Sequence, residues 1–271
     1  MSDFQKDVNT MKFDMHCHTK EGSLDGKVEI EKYISILKQN GFDGMLISDH
    51  NSYNGYRYWR ENVKGRRYKD FVVLRGIEYD TIDAGHILVI MPENKRLPIL
   101  ELRGLPVSLL IDIVHRHGGI LGPAHPCGER YLSLASTGRF KRNRDIIGRF
   151  DFVEAFNACE DLQNNREARA LAKKYHKPAF GGSDSHKPDC VGLAFTEFDG
   201  EIRKESDLIA LLQEKGRSAC TCGGSIYEGT TKNKLGRANQ ILVQSFWFYN
   251  RFSGIARMRK RRREMRKLRN K

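Results

Sequence analysis

Short apolar segments alternate with segments of helical periodicity along most of the 271 residues. The apolar segments predict strands at residues 12–16, 44–48, 71–77, 85–91, 120–123, 152–156, 177–181 and 193–198. Apolar positions three or four residues apart predict helices at 28–39, 53–63, 106–117, 164–175 and 205–215. This alternation is typical of parallel strands covered by helices. Seven or so such units favour a β/α barrel over an open sheet.

Polar residues of one chemical kind lie at the ends of most of these strands. His16 and His18 end the first strand, and the alternation of side chains directs both to one face and Cys17 to the other. The other candidates are His50, Glu78, His125 and Asp184 at strand ends and His86 at a strand start. In a barrel the C-terminal strand ends meet at one face, so these side chains are expected to converge.

Taken singly, each of these residues has an ordinary structural explanation. Asp49-His50 is more typical of a helix cap after a strand, Glu78 of a solvated loop, and Asp184 of a capped turn. The joint pattern is what changes the interpretation, because six of the nine histidines lie at strand termini near acids. Neutral imidazole is the commonest side-chain metal ligand, so the pattern predicts a metal site.

Composition limits the class of protein. The apolar fraction of 39% and the charged fraction of 30% fit a globular protein. No apolar run reaches the roughly 18 residues of a membrane span, so no transmembrane segment is expected. The N-terminus lacks the pattern of a signal peptide, and six cysteines are scattered without the rhythm of a disulfide framework. A cytoplasmic location with reduced thiols is therefore expected.

The net charge of +13 is concentrated near the C-terminus. Residues 251–271 contain eleven lysines or arginines and one glutamate, a net of +10, which leaves about +3 for the rest. An aromatic and apolar segment at 240–252 precedes this run. Two regions are predicted: a barrel at 1–225 and an extension at 226–271, whose residues 257–271 are good helix formers.

Three interpretations of the basic tail remain open. It binds RNA or DNA phosphates without sequence preference. It lies on an anionic membrane surface with the aromatic residues 246–249 inserted. Or it is a solvated extension without a dedicated partner.

The candidate residues lie in eight short motifs whose order resembles that of the PHP phosphoesterases, the polymerase and histidinol phosphatase superfamily. The motifs are DMHCHT from residue 14, LDG from 24, SDHN from 48, GIE from 76, GHIL from 85, AHP from 124, VEAFN from 153 and GSDSH from 182. The resemblance covers about residues 12–200. It implies a distorted seven-stranded β/α barrel that holds up to three divalent metals.

Carried over position by position, the resemblance implies three groups of metal ligands. The first group is His16, His18, Glu78 and Asp184; the second is Glu78, His86 and His125; the third is Asp25, His50 and His186. Glu78 would bridge two metals, since a carboxylate has two oxygens. Imidazole and carboxylate ligands without thiolate suit Zn, Mn or Fe better than Ca or Mg. Two or three divalent ions are the expected cofactors.

Other residues are expected to support these ligands or the substrate. Asp49 is expected to orient His50 by accepting its second N–H, with direct metal contact as the alternative. Thr19, Glu154 and Asn157 are expected to fix ligands or waters. Arg130 could grip a phosphate, although a surface arginine is an equally good interpretation. The basic segment 139–144 is another candidate near the pocket mouth, with a solvated loop favoured.

The resulting hypothesis is a hydrolase of phosphate esters that uses a hydroxide shared by two cations. The substrate would be a phosphorylated small molecule or an oligonucleotide. The LDG motif is most similar to the group acting on nucleoside 3′,5′-bisphosphates and RNA 5′ ends, as phosphatase or 5′–3′ exonuclease. That group has arginines soon after the His-Pro and Glu-x-Phe-Asn motifs. Here Cys127-Gly128-Glu129 delays Arg130, and Ala158-Cys159 follows Asn157, so the phosphate contacts and the substrate could differ.

Three other functions remain as alternatives. The first is a phosphatase of small molecules similar to histidinol phosphatase. The second is a nucleic-acid-binding protein with an inactive barrel, against which all nine filled ligand positions argue. The third is a hydrolase of another bond, such as an amide, since similar metal sites serve several hydrolyses.

Overall fold

The structure, a computed structural model, describes residues 10–128 and 132–229, with Ser245 alone beyond them. The described residues form nine strands: β1 Thr10–Cys17, β2 Gly44–Ile47, β3 Val72–Asp80, β4 His86–Ile90, β5 Ile120–Pro123, β6 Val153–Asn157, β7 Ala179–Gly182, β8 Ala194–Asp199 and β9 Cys220–Gly224. Their helices are α1 Ile30–Gln39, α2 Asn54–Asn62, α3 Val107–Arg116, α4 Gly138–Arg142, α5 Leu162–Lys174 and α6 Glu205–Lys215.

Strands β1 to β7 follow one another around a ring. One sheet has the order β5-β4-β3-β2-β1-β8-β9, and β6 pairs with β7. The hydrogen bonds that join these parts include one from Asp184 N–H after β7 to His16 O of β1, over 2.8 Å, and one from Asp151 N–H before β6 to Leu121 O of β5, over 2.9 Å. The fold is therefore the distorted seven-stranded α/β barrel that the sequence predicts.

The strand directions differ in part from the parallel arrangement expected from the alternation. Strands β1, β2 and β3 are mutually parallel, as are β6 and β7. Strand β4 is antiparallel to both β3 and β5, because β3 and β4 form a hairpin in which Asp80 lies opposite His86. The few residues between them leave no room for the helix that a parallel connection needs. Strands β8 and β9 also run antiparallel and extend the sheet beside β1.

Two short elements lie where the sequence predicted none. Strand β9, which carries Cys220 and Cys222, ends in two glycines and has too few apolar residues for a strand signal. Helix α4 occupies the start of the basic segment 139–144, where a solvated loop was predicted. Its five residues are shorter than the window over which helical periodicity can be recognised.

The apolar face of each strand decides which side packs against helices. Ile34 and Trp59 of α1 and α2 pack with Met45, Ile47 and Val73 of the central strands. A second cluster of buried side chains includes Phe13, Leu46, Leu74, Leu88, Phe152 and Phe180. Four of these, Phe13, Leu46, Leu74 and Phe180, lie three or four residues before a candidate ligand. This buried layer gives the strand ends a rigid base. No helix of the described part is long and apolar enough to cross a membrane.

Candidate metal centre

The structure brings all nine predicted ligand residues to one face of the barrel. They lie at the ends of β1, β2, β3, β5 and β7, at the start of β4, and in the loop before α1. Three groups among them have ligand atoms within 4.8 Å of one another: His16, His18 and Asp184; His18, His50 and His186; and His50, Glu78 and His86. The register of β1 against β2 shifts between Asp14 and Cys17, and His16 and His18 both face this centre.

The first group has the spacing of ligands around one cation. The Nε2 atoms of His16 and His18 lie 3.1 Å apart. Asp184 Oδ1 is 3.3 Å from His18 Nε2 and 3.6 Å from His16 Nε2. Metal–ligand bonds of about 2.1 Å place neighbouring ligand atoms about 3.0 to 3.4 Å apart, so this geometry fits a divalent metal.

Glu78 lies at the centre of the cluster, with each carboxylate oxygen facing different histidines. Its Oε1 is 2.8 Å from His86 Nδ1 and 3.0 Å from His125 Nε2. Its Oε2 is 3.0 Å from His50 Nδ1 and 3.3 Å from His18 Nε2. The arrangement suits a carboxylate that contacts two cations.

Asp25 marks the outer edge of the site. Its Oδ2 lies 3.1 Å from His186 Nε2 and 3.6 Å from His50 Nε2. Its side chain is 53% exposed, whereas Glu78 is almost fully buried. The third predicted group is therefore the one nearest to solvent.

Polar partners fix the second nitrogen of several histidines. Glu154 Oε1 lies 2.8 Å from His16 Nδ1. Ser23 Oγ lies 3.3 Å from His18 Nδ1, and Ser133 Oγ lies 3.3 Å from the Nδ1 of His125. A partner at one ring nitrogen sets the tautomer and directs the other nitrogen to the metal.

The predicted contact between Asp49 and the His50 ring is wrong. Asp49 Oδ1 accepts hydrogen bonds from Thr19 N over 2.7 Å and from Ser23 Oγ over 3.1 Å, so its carboxylate fastens the loop after β1. Because Ser23 also contacts His18, Asp49 supports His18 through this hydroxyl. Burial raises the pKa of Asp49 to about 7.

Glu154 and Asn157 form hydrogen bonds that support the candidate ligands His125 and Asp184. Glu154 Oε2 accepts the backbone N–H of His125 over 2.5 Å and the Asn157 side-chain N–H over 3.1 Å. Asn157 Nδ2 also lies 3.2 Å from Asp184 Oδ2. One carboxylate thus links the ends of β1, β5 and β6, in agreement with the supporting role predicted for these residues.

The electrostatics of the centre favour positive charge. Burial opposes protonation of His16, but the carboxylates of Glu154, Asp184 and Glu78 outweigh it and raise its pKa well above the usual range. Burial also opposes the charged form of Glu78 and by itself would raise its pKa. The neighbouring histidines His86, His50 and His16 outweigh burial and lower this pKa far below the usual range. At His18, by contrast, burial and the neighbouring His186 and His50 lower the pKa, so the carboxylates favour positive charge at His16 in particular.

Two candidate ligands have strained backbones. His125 has φ +27° and Asp184 has φ +50°, in the left-handed region that residues with a Cβ rarely adopt. Such conformations cluster at functional sites, where the surrounding fold enforces them. Here the hydrogen bonds of His125 N–H to Glu154 and of Asp184 N–H to His16 O hold both backbones.

The residues present fit a metal. Within the described residues, three buried polar atoms of this centre have no hydrogen-bond partner: Glu78 Oε2, His50 Nδ1 and Asp80 Oδ1. Unpaired buried polar atoms are costly, and a cation compensates them. The donors are nitrogen and oxygen, a mixture that suits Zn, Mn or Fe.

Asp80 is the site residue that sequence analysis missed. Its Oδ1 lies 3.5 Å from His50 Nδ1 and 3.4 Å from His86 Nε2. The predicted strand ended at Ile77, which placed Asp80 in a loop. In the structure β3 continues to Asp80, so Glu78 and Asp80 share one face. This two-residue spacing was the available signal.

The predicted basic candidates were Arg130 and the segment 139–144. Arg130 lies outside the described residues. Arg139 is on α4, where its Nε is 4.0 Å from Asp83 Oδ2 in the loop between β3 and β4.

Sequence comparison identifies the domain type. The PHP domain model matches residues 14–182, and the PHP-associated model matches residues 163–215. No curated protein sequence matches the chain.

Solved structures share the fold at low sequence identity. PsfC from Pseudomonas syringae has a TM-score of 0.61 and 18% identity, covering 89% of this chain and 98% of that one. Endonuclease Q from Pyrococcus furiosus has a TM-score of 0.58 and 15% identity, covering 77% of this chain and 57% of its own length. A metal-dependent phosphoesterase from Bifidobacterium adolescentis has a TM-score of 0.53 and 16% identity, covering 74% of this chain and 95% of that one.

The segment matched by the PHP domain model contains β2 to β7, the second half of β1 and seven of the nine predicted ligands. Asp184 and His186 follow directly after it. The family binds divalent metals, and the clusters of imidazole and carboxylate fit that property. The chain therefore belongs to the PHP domain family of metal-dependent phosphoesterases.

Proposed function

We propose that this enzyme hydrolyses phosphoester bonds of nucleotides or nucleic acid strands, with two or three divalent metals held by the nine predicted ligands. The main observation in support of this proposal is the position of Glu78, whose two carboxylate oxygens lie within 3.3 Å of nitrogen atoms of different histidines. Adjacent cations sharing such a carboxylate suit phosphoester hydrolysis, in which the attacking and leaving oxygens both need stabilisation.

The protein's own residues prepare the centre. Bound divalent cations would supply Lewis acidity, which acidifies water and neutralises phosphate charge. Glu154 holds His16, and Ser23 and Ser133 hold His18 and His125, so the orientations of these three rings are fixed by the protein itself. The exposed edge at Asp25 leaves an approach for the phosphate.

A nucleic acid strand is supported as substrate by the distribution of charge. Residues 230–271 contain 14 lysines and arginines and one glutamate, a formal charge of +13, so residues 1–229 are neutral. This extension, residues 226–271 of the proposed two-part division, combines basic residues with the aromatic residues 246–249. Basic and aromatic side chains together are typical of proteins that bind single strands. An endonuclease Q structure with the same fold has a 27-mer duplex with an abasic lesion at its active site.

The course of the chain supports the same substrate. After β9, Tyr227 N–H donates to Ala158 O over 2.7 Å. Ala158 follows Asn157, whose side chain contacts Asp184. The last described residues thus contact the segment that follows β6. Basic residues further along the chain would raise the local concentration of a polyanionic substrate.

A substrate panel tests the proposed reaction. With Mn²⁺ supplied, phosphate or nucleotide release is expected from nucleoside 3′,5′-bisphosphates or 5′-phosphorylated oligonucleotides, and EDTA should abolish it. Turnover of histidinol phosphate alone would indicate a small-molecule phosphatase, and turnover of N-acyl compounds a different hydrolase. Binding of oligonucleotides without any turnover would contradict the proposal in favour of an inactive barrel.

Deletion of residues 251–271 is expected to weaken binding of single-stranded RNA at least about tenfold near 0.1 M salt. The logarithmic salt dependence should flatten by several units, since each neutralised phosphate contributes about 0.7. Fluorescence anisotropy at several salt concentrations measures both quantities. Turnover of a mononucleotide is the control and should change little. Equal RNA affinity with and without the segment would contradict this role; binding to anionic vesicles instead would support the membrane interpretation.

A further inference from the structure

Three unpaired buried atoms meet at one point of the centre. They are Glu78 Oε2, His50 Nδ1 and Asp80 Oδ1, each without a hydrogen-bond partner among the described residues. His50 Nδ1 lies 3.0 Å from Glu78 Oε2 and 3.5 Å from Asp80 Oδ1. His86 borders the same point, with its Nε2 3.4 Å from Asp80 Oδ1. These distances match the edges of a coordination polyhedron with bonds of about 2.1 Å.

Arg103 determines which oxygen of Asp80 is free. The Arg103 guanidinium pairs with Asp80 Oδ2, and both side chains are largely buried. This contact holds the carboxylate in place and leaves Oδ1 directed at the histidines. The hairpin of β3 and β4 adds to the rigidity, because Asp80 and His86 are directly opposed across it.

We propose that Asp80 is a metal ligand, and that Asp80, Glu78, His50 and His86 bind a divalent cation. None of the eight motifs includes Asp80. Arg103 offsets one negative charge, so the two buried carboxylates of Glu78 and Asp80 still need a positive partner at this point. A cation bonded to Asp80 Oδ1, Glu78 Oε2 and His50 Nδ1 satisfies all three unpaired atoms.

The variant Asp80→Asn separates ligation from mere orientation of the histidines. Its amide oxygen still accepts a hydrogen bond from imidazole, but it carries no charge and ligates metals weakly. The expected result is loss of one bound equivalent of Mn²⁺, or at least a tenfold weaker dissociation constant for it. Calorimetric titration of the metal-free full chain with Mn²⁺ and elemental analysis after dialysis measure this without reference to activity.

Asp83→Asn is the matched control in the same hairpin. Asp83 Oδ1 accepts the Val107 N–H at the start of α3, a bond that asparagine can preserve. Its metal content and Mn²⁺ affinity should equal those of the wild type. If Asp80→Asn also keeps the full number of equivalents with unchanged affinity, the proposal is overturned.

A measurement on the unaltered chain covers the case in which Asp80→Asn does not fold. Anomalous diffraction from crystals soaked in Mn²⁺ should place an ion about 2.2 Å from Asp80 Oδ1. Ions bonded only to the other ligands, with Asp80 Oδ1 beyond bonding distance, would show that Asp80 merely orients the histidines. Because these readouts report metal binding, they can fail while the proposed phosphoester hydrolysis holds, and the reverse.

Discussion

Replacing Asp184 with asparagine is expected to lower kcat for phosphoester hydrolysis by more than about a hundredfold, since even residues behind metal ligands contribute about 10- to 100-fold. Asp184 Oδ1 lies 3.3 Å from His18 Nε2, and the carboxylate also contacts Asn157. Asparagine preserves the size of the side chain but removes the negative charge. Initial rates with saturating Mn²⁺, together with the metal content of the purified variant, measure the effect.

Asp189→Asn is the control for this prediction. Asp189 lies five residues further along the same loop and is exposed, so its replacement should leave both rate and metal content near those of the wild type. If Asp184→Asn turns over substrate as fast as the wild type, the prediction that this carboxylate belongs to the metal centre is contradicted. A loss of activity with unchanged metal content would instead place Asp184 in substrate binding.

Gly182→Ala is expected to lower the free energy of unfolding by about 1–3 kcal/mol, the range typical of overpacking a core. A Cβ at this position would lie 2.3 Å from His16 Cβ and 2.6 Å from His16 N. The neighbouring atoms belong to the backbone of β1 and cannot rotate away. Relief of the clash must separate β7 from β1, which also displaces His16 from the metal centre, so activity should fall together with stability.

Gly148→Ala provides the matched comparison. An added Cβ there meets no atom within 4 Å, so the change in unfolding free energy should stay within about 0.5 kcal/mol. Chemical denaturation monitored by circular dichroism compares the two variants. Equal stabilities would mean that β1 and β7 do not approach as closely as the ring requires.

The convergence of the candidate ligands could be predicted because each combines a local signal with a general rule of the fold. His16 and His18 follow an apolar strand, and Asp184 follows a strand that ends in two glycines. The C-terminal ends of strands in a barrel meet at one face, so residues at different strand ends could be expected to lie close together in space. His86 was predicted as the exception at a strand start, and the antiparallel hairpin explains its position.

The supporting contacts could not be predicted in the same way. Asp49 was assigned to His50 because the two are adjacent in sequence, yet its carboxylate bonds to Thr19 and Ser23, some thirty residues earlier. Adjacent residues beyond a strand point in different directions, and the choice of partner depends on how two loops lie against each other. The same limit applies to Glu154, whose contact with His16 joins strands 138 residues apart.

The sequence by itself determined where β1 to β8 lie along the chain and which polar side chains lie near their ends, because these depend on local periodicity and residue type. The tertiary structure decided the reversed direction of β4, the inclusion of Asp80, and which oxygen of each carboxylate faces which nitrogen. Those features depend on distances of a few ångströms between distant segments. Only the packed barrel sets such distances.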